Sequence, residues 1–188
     1  MKGIDVSVHN GKIDWQKVRA AGIDFAILRA GYGRLASQKD DRFEENYAGA
    51  KAAGIPVGAY WYSYAMSEGE ARLEADVFLS VIKGKQFEFP VYFDLEEKKQ
   101  FDLGKEKVSA IMRAFLERVE SAGYFTGLYG CASSLTTHTA DDRLPATRHR
   151  SSTMRNTSRR IRSGSSSGCM RMRVSAQPRP RTENSLTP

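Results

Sequence analysis

The stretch Phe89-Pro90-Val91-Tyr92-Phe93-Asp94-Leu95-Glu96-Glu97 reads as a buried strand that runs into paired carboxylates. Side chains alternate across a strand, so Val91, Phe93 and Leu95 share one face while Tyr92, Asp94 and Glu96 share the other. Two residues of rise put the Asp94 and Glu96 backbones about 6.5 Å apart, close enough for both acids to flank one small group. Ionised carboxylates beside so much apolar surface are costly unless paired or used. Such crowding pushes one of the two pKa values up, the division of labour that acid–base chemistry needs. The competing reading of this stretch alone is a solvated strand end whose acids face water.

Four more strand-like runs share the first part of the chain: Gly3–Val8, Phe25–Ala30, Val57–Tyr64 and Phe125–Gly130. With Pro90–Glu96 they start 22, 32, 33 and 35 residues apart, and a helical pattern follows each. That spacing predicts repeated βα units around a largely parallel sheet. Asp14 is placed to cap a helix through Trp15, Val18 and Ala21. Asp41 precedes a second helix that ends near Ala53, ahead of Gly54 and Pro56. Ser67-Glu68-Gly69-Glu70 has capping-box spacing before Leu73, Val77, Phe78 and Val81. Val108, Ile111, Met112, Phe115, Leu116 and Val119 form an apolar stripe that stops at Gly123.

Charge and composition divide the chain in two. Residues 141–188 hold 11 arginines against Asp141, Asp142 and Glu183, a net of +8, whereas residues 1–140 carry a net of −1. All 19 aromatic residues fall at or before Tyr129, and every lysine at or before Lys107. The overall charge of +7 therefore describes the end of the chain rather than its globular part. Residues 144–188 are rich in Arg and Ser and too poor in apolar residues to offset the entropy of ordering, so a disordered basic tail is expected there. With no aromatics for stacking and no recognised motif, its arginines imply no specific nucleic-acid partner. Cys131 and Cys169 have no metal-ligand spacing with the three histidines and read as free thiols. No apolar run approaches a membrane span. Met1-Lys2-Gly3 leads straight into strand-like Ile4-Asp5-Val6, so no signal peptide is expected at this end.

Sites on parallel βα architectures gather at the carboxyl ends of the strands. Those ends offer Asp5, Ser7, His9 and Asn10 from the first run, Arg29 from the second, and Tyr60, Trp61, Tyr62 and Tyr64 from the third. Asp94 and Glu96 come from the fourth and Tyr129 from the fifth. Carboxylates beside aromatic platforms, with no metal cluster, suit sugars: their apolar ring faces stack while their hydroxyls hydrogen-bond. Two alternatives stand at this stage. Asp5 is equally suited to hold a turn with Asn10-Gly11, and the tyrosines to fill a core.

Gly3-Ile4-Asp5-Val6-Ser7-Val8-His9-Asn10-Gly11 followed by Ile13-Asp14-Trp15 resembles the opening signature of the family 25 glycoside hydrolases, the N-acetylmuramidase lysozymes. Phe25-Ala26-Ile27-Leu28-Arg29-Ala30-Gly31, Gly58-Ala59-Tyr60-Trp61-Tyr62-Ser63-Tyr64, Tyr92-Phe93-Asp94-Leu95-Glu96 and Gly127-Leu128-Tyr129 resemble its later strands, in order. The resemblance implies an irregular TIM-like β/α barrel that hydrolyses the β-1,4 bond between N-acetylmuramic acid and N-acetylglucosamine in peptidoglycan. It implies Glu96 as general acid/base, Asp94 assisting through the substrate's 2-acetamido group, and Asp5 as a further carboxylate. It also implies Tyr62, Tyr60, Arg29 and Tyr129 as substrate-binding residues, no metal or other cofactor, and a monomer. The implied place of action is the bacterial wall, outside the cell, reached from the cytoplasm by a phage- or prophage-type release. Retention of configuration is implied by the family alone, because spacing in sequence does not separate it from inversion.

The end of the chain departs from that family. No Trp follows Trp61, no Tyr follows Tyr129 and no Asp follows Asp142, where further strands, a Trp-Gln-Tyr-like segment and a late aspartate are expected. A reading-frame change near Leu144–Arg148 accounts for the switch. The expectation is thus a partial catalytic domain over residues 1–143, an incomplete barrel, and a low-order tail over 144–188. An inactive glycan-binding remnant is the alternative to an enzyme.

Overall fold

The computed structural model describes residues 1–131, 135, 137–139 and 170–174. Five strands follow one another across a sheet: β1 (Gly3–Val6), β2 (Phe25–Tyr32), β3 (Val57–Tyr62), β4 (Val91–Asp94) and β5 (Thr126–Cys131). Each is parallel to its neighbour. Helices α1 (Trp15–Ala20), α2 (Phe43–Ala52), α3 (Glu68–Ile82), α4 (Lys98–Phe101) and α5 (Lys105–Ser121) supply the crossovers. A sixth strand, β6 (Met170–Val174), lies antiparallel along β5. Among the described residues the sheet does not close on itself, so the fold is an open α/β sheet of the barrel type. The frame change and most of the expected low-order tail lie outside the described residues. The strand β6 was not anticipated, although Met170, Met172 and Val174 alternate with Arg171 and Arg173 at strand period.

One sheet face packs under the helices and forms the main core. Leu28, Ala59, Trp61, Val91 and Phe93 meet Phe78 and Ile82 of α3 and Ile111 and Phe115 of α5. Ring centroids of Phe93 and Phe115 are 4.5 Å apart, and those of Trp61 and Phe78 are 5.6 Å apart. The apolar stripe of α5 is buried as its spacing predicts, with Leu116 at its edge. Asp14 and Ser67 cap α1 and α3 as expected, accepting from Lys17 N and Glu70 N. Asp41 precedes α2, which ends next to Ala53, as expected. The carboxylate at the helix entry is Asp40, whose Oδ1 accepts from Arg42 N at 3.0 Å, and Asp41 is exposed.

The other sheet face carries Asp5, Ile27, Arg29, Tyr60, Tyr62, Tyr92, Asp94 and Tyr129. Their registers match across the strands: Arg29 with Tyr60 and Tyr92, then Tyr62 with Asp94 and Tyr129. Pairing of β2 with β3 shifts between Arg29 and Gly31. The extra residue re-aims the strand end, so Tyr32 pairs with Tyr62 and joins Arg29 on the same face. Gly31 is needed there, because a Cβ would lie 2.5 Å from the Trp61 ring and 2.6 Å from the Gln38 carbonyl oxygen.

Behind the end of β3, a buried polar cluster ties the strand to two helices. Glu74 of α3 is fully buried, and its Oε1 accepts from Tyr64 N at 2.9 Å. Gln100 of α4 donates to Ser63 Oγ at 3.0 Å and to the Ala65 carbonyl at 2.9 Å. Glu74 Oε2 has no hydrogen-bond partner among the described residues, and burial raises this acid from 4.5 to about 7. The folded chain therefore keeps a proton that the unfolded chain releases. Stability from this group is complete below about pH 4.5 and is lost as pH rises through about 7. Glu74→Gln removes the titration. Between pH 4 and pH 8 the variant should gain about 3 kcal/mol on the parent in urea unfolding. A difference independent of pH would show that Glu74 is not held protonated.

Candidate active site

The ends of the parallel sheet meet across its concave face. The Tyr129 hydroxyl on β5 donates to Asp5 Oδ2 on β1 at 2.8 Å, although three strands separate β1 from β5. Tyr60 stacks on Tyr129 at 5.8 Å and Tyr92 meets it edge-on at 6.4 Å. Burial, first of all, raises the phenols of Tyr60, Tyr92 and Tyr129 above their ordinary range, so this aromatic floor stays neutral. The turn-holding alternative for Asp5 does not apply. Asn10 closes that turn by accepting from Ser7 N at 2.8 Å, while Asp5 holds the tyrosine.

Asp94 closes β4 and is 2 % exposed. Its Oδ1 has no hydrogen-bond partner among the described residues. Burial pushes this acid well above the usual carboxylate range; the negative charges of Glu96 and Asp5 add to the effect and Arg29 opposes it. Glu96 is half-buried and is also raised, by burial and then by Asp5. Sequence put both acids on one strand. The strand in fact stops at Asp94, and Glu96 lies on the segment leading to α4. Burial and the neighbouring negative charge thus both oppose ionisation of Asp94 and Glu96.

A cleft of about 460 Å³ is lined by Val8, His9, Arg29, Tyr32, Tyr62 and Tyr64, among others. Asp5, Asp94 and Glu96 do not line it, and Tyr62 connects it to them by pairing with Asp94 on β4. Arg29 donates from Nε to Asp40 Oδ2 at 2.7 Å, and its guanidinium sits 5.9 Å from the centre of the Tyr32 ring. Asp40 Oδ2 also accepts from Val8 N at 3.0 Å, which fixes the turn after β1. Tyr62 packs at 5.1 Å against Tyr64, and its hydroxyl donates to Glu97 at 3.0 Å.

Asp5, Asp94, Glu96, Tyr60 and Tyr129 thus gather around one concave face, with Arg29 and Tyr62 on its flank. Tyr60 belongs to the floor rather than the cleft wall. Trp61 is turned away into the helix-side core, where its Nε1 donates to the Gly33 carbonyl at 3.0 Å. Sequence reasoning missed Tyr32, Asp40 and Glu97. Gly31 within a strand was a bulge signal for Tyr32; nothing local marked Asp40 or Glu97. Among the described residues no group of three or more His, Cys, Asp or Glu is placed to hold a metal ion, and no helix is long and apolar enough to cross a membrane.

The sequence profile of the Glycosyl hydrolases family 25 matches residues 4–149. Lysozyme M1 of Streptomyces globisporus is 44 % identical over 81 residues, covering 43 % of this chain and 26 % of that protein. The autolytic lysozyme of Clostridium acetobutylicum is 28 % identical over 131 residues, covering 69 % of this chain and 38 % of that protein. The structure of a family 25 glycosyl hydrolase from Bacillus anthracis superposes with a TM-score of 0.66 at 25 % identity, covering 77 % of this chain and 66 % of that one. The chain spans well under half the length of these two lysozymes.

Proposed function

The chain belongs to the family 25 glycosyl hydrolases, and on that footing we propose that it is an N-acetylmuramidase. It would hydrolyse the β-1,4 bond between N-acetylmuramic acid and N-acetylglucosamine in peptidoglycan, as a monomer acting on the bacterial wall. The observation that carries this reading is the meeting of Asp5, Asp94 and Glu96 beside an aromatic floor, with Tyr129 reaching across to Asp5.

Roles follow from exposure and charge. Glu96 is the general acid/base. It is half-buried and so reaches substrate, and its raised pKa lets it hold the proton that the leaving glycosidic oxygen needs. Asp94 has the larger upward push but lies 2 % exposed in the floor, too deep to reach a leaving oxygen. It suits a positioning role toward the substrate's 2-acetamido group, whose carbonyl oxygen can attack the anomeric carbon as the glycosidic bond breaks. Glu96, having lost its proton to the leaving group, then takes one from the water that opens the intermediate. Asp5, held by Tyr129, adds negative charge that keeps Glu96 protonated and stabilises the oxocarbenium-like transition state. Arg29, Tyr62 and the neighbouring Tyr64 bind sugar along the cleft.

The test is the chemistry of the new chain ends. Purified peptidoglycan is incubated with the protein, reduced with borohydride and hydrolysed. Muramitol should appear and rise with time. Glucosaminitol in its place would assign the opposite bond, and neither product would leave a non-catalytic glycan-binding chain.

A further inference from the structure

We propose that Glu97 is a positioning residue for the cleft: it takes the hydroxyl proton of Tyr62 and so turns the Tyr62 oxygen into an acceptor for a hydrogen-bond donor on the sugar. The inference rests on the muramidase reading and deepens it. A phenol has one proton to give and lone pairs to offer. That proton is committed, because Tyr62 donates to Glu97 Oε1 at 3.0 Å and a carboxylate is the stronger acceptor available. Burial, then the Glu97 hydrogen bond itself, holds the Tyr62 phenol above its ordinary range, so the group stays neutral with its proton in place. What remains facing the cleft accepts only. Tyr62 therefore selects a sugar hydroxyl or the amide N–H of an acetamido group over a bare carbonyl.

A hydrogen-bonded frame holds Glu97 in place. Its backbone carbonyl accepts from Gln100 N at 3.0 Å at the start of α4. Gln100 in turn is bonded through its side chain to Ser63 Oγ and the Ala65 carbonyl, just past Tyr62 on β3. Glu97 occupies the capping position of α4, yet its side chain makes no capping bond there. It reaches instead across to β3, at the level where Tyr62 pairs with Asp94. A helix-capping role would leave Tyr62 free to rotate its hydroxyl; the observed bond fixes it.

The experiment is a double-mutant cycle on soluble glycan strands prepared from purified peptidoglycan, read as kcat and KM separately. Glu97→Ala should lower kcat/KM by about ten-fold or more, the usual weight of a hydrogen bond to a charged group. Tyr62→Phe should cost the same, and the double variant no more than either single one. Glu97→Gln keeps an acceptor oxygen and should restore most of the loss. Circular dichroism checks each fold; should Glu97→Ala not fold, Glu97→Met keeps the stem and removes the acceptor. Full activity in Glu97→Ala, or losses that multiply in the double variant, would overturn the proposal while leaving the muramidase reading intact. A parent chain that releases no reducing ends overturns both.

Discussion

Glu96→Gln should abolish measurable release of reducing ends from purified walls, a loss of about 10²–10⁴-fold in kcat that matches what a general acid contributes. Gln is nearly isosteric and cannot donate the proton, so the fold should survive while the chemistry fails. The position supports this, because Glu96 is half-buried at the edge of the group and lies outside the strand ladder. Asp94→Asn and Asp5→Asn should each lower the rate severely, for different reasons. Loss of the Asp5 charge removes one of the two causes that raise the Glu96 acid. The alkaline shoulder of the pH–rate profile should therefore move to lower pH in Asp5→Asn, as Glu96 releases its proton more readily. A folded Glu96→Gln protein with parental kcat would exclude the assigned role, and an unmoved shoulder in Asp5→Asn would separate Asp5 from Glu96.

How far the site was legible in the sequence depended on how local its signal was. Strand alternation around Val91–Asp94 placed Asp94 correctly on the inner face, and the βα spacing placed Asp5 and Tyr129 at strand ends. Their direct bond was not legible. It joins residues 124 apart and exists only because the sheet curls enough to bring β1 opposite β5. The two readings of the tyrosine-rich third strand were settled by parity: Trp61 faces the helices while Tyr60 and Tyr62 face inward. Periodicity alone does not say which parity is inside when both faces are apolar. Tyr32 was hidden for a sharper reason, since one bulge reverses the parity of everything after it. Asp40 and Glu97 were invisible because each sits in a connecting segment, and their partners, Arg29 and Tyr62, lie on other strands.

Asp40→Ala should be the most destabilising single substitution on the cleft side, costing about 3–5 kcal/mol in urea unfolding, the range for breaking a buried ion pair from one end. The Asp40 side chain is 0 % exposed and that of Arg29 only 14 %, so the charge left behind has little access to water. Three donors lose their acceptor at once: Arg29 Nε, Val8 N and Arg42 N. Against a typical total stability of about 5–15 kcal/mol, this is a large fraction of the margin. Replacing Arg29 as well should recover part of the loss, because an apolar pair avoids the stranded charge. The two backbone N–H groups stay unsatisfied, so recovery should be incomplete. Asp40→Asn keeps the volume and one acceptor oxygen and should fall between. A catalytic consequence follows from the same contacts, even where the variant is folded. Val8, His9 and Arg29 line the cleft, and the turn after β1 and Arg29 both lose the anchor that sets their position. Arg29 is also the positive charge that restrains the upward push on Asp94, so freeing it from Asp40 changes the balance inside the carboxylate group. A loss of under 1 kcal/mol with unchanged kcat/KM would mean that the pair behaves as an ordinary surface ion pair, with no part in building the cleft.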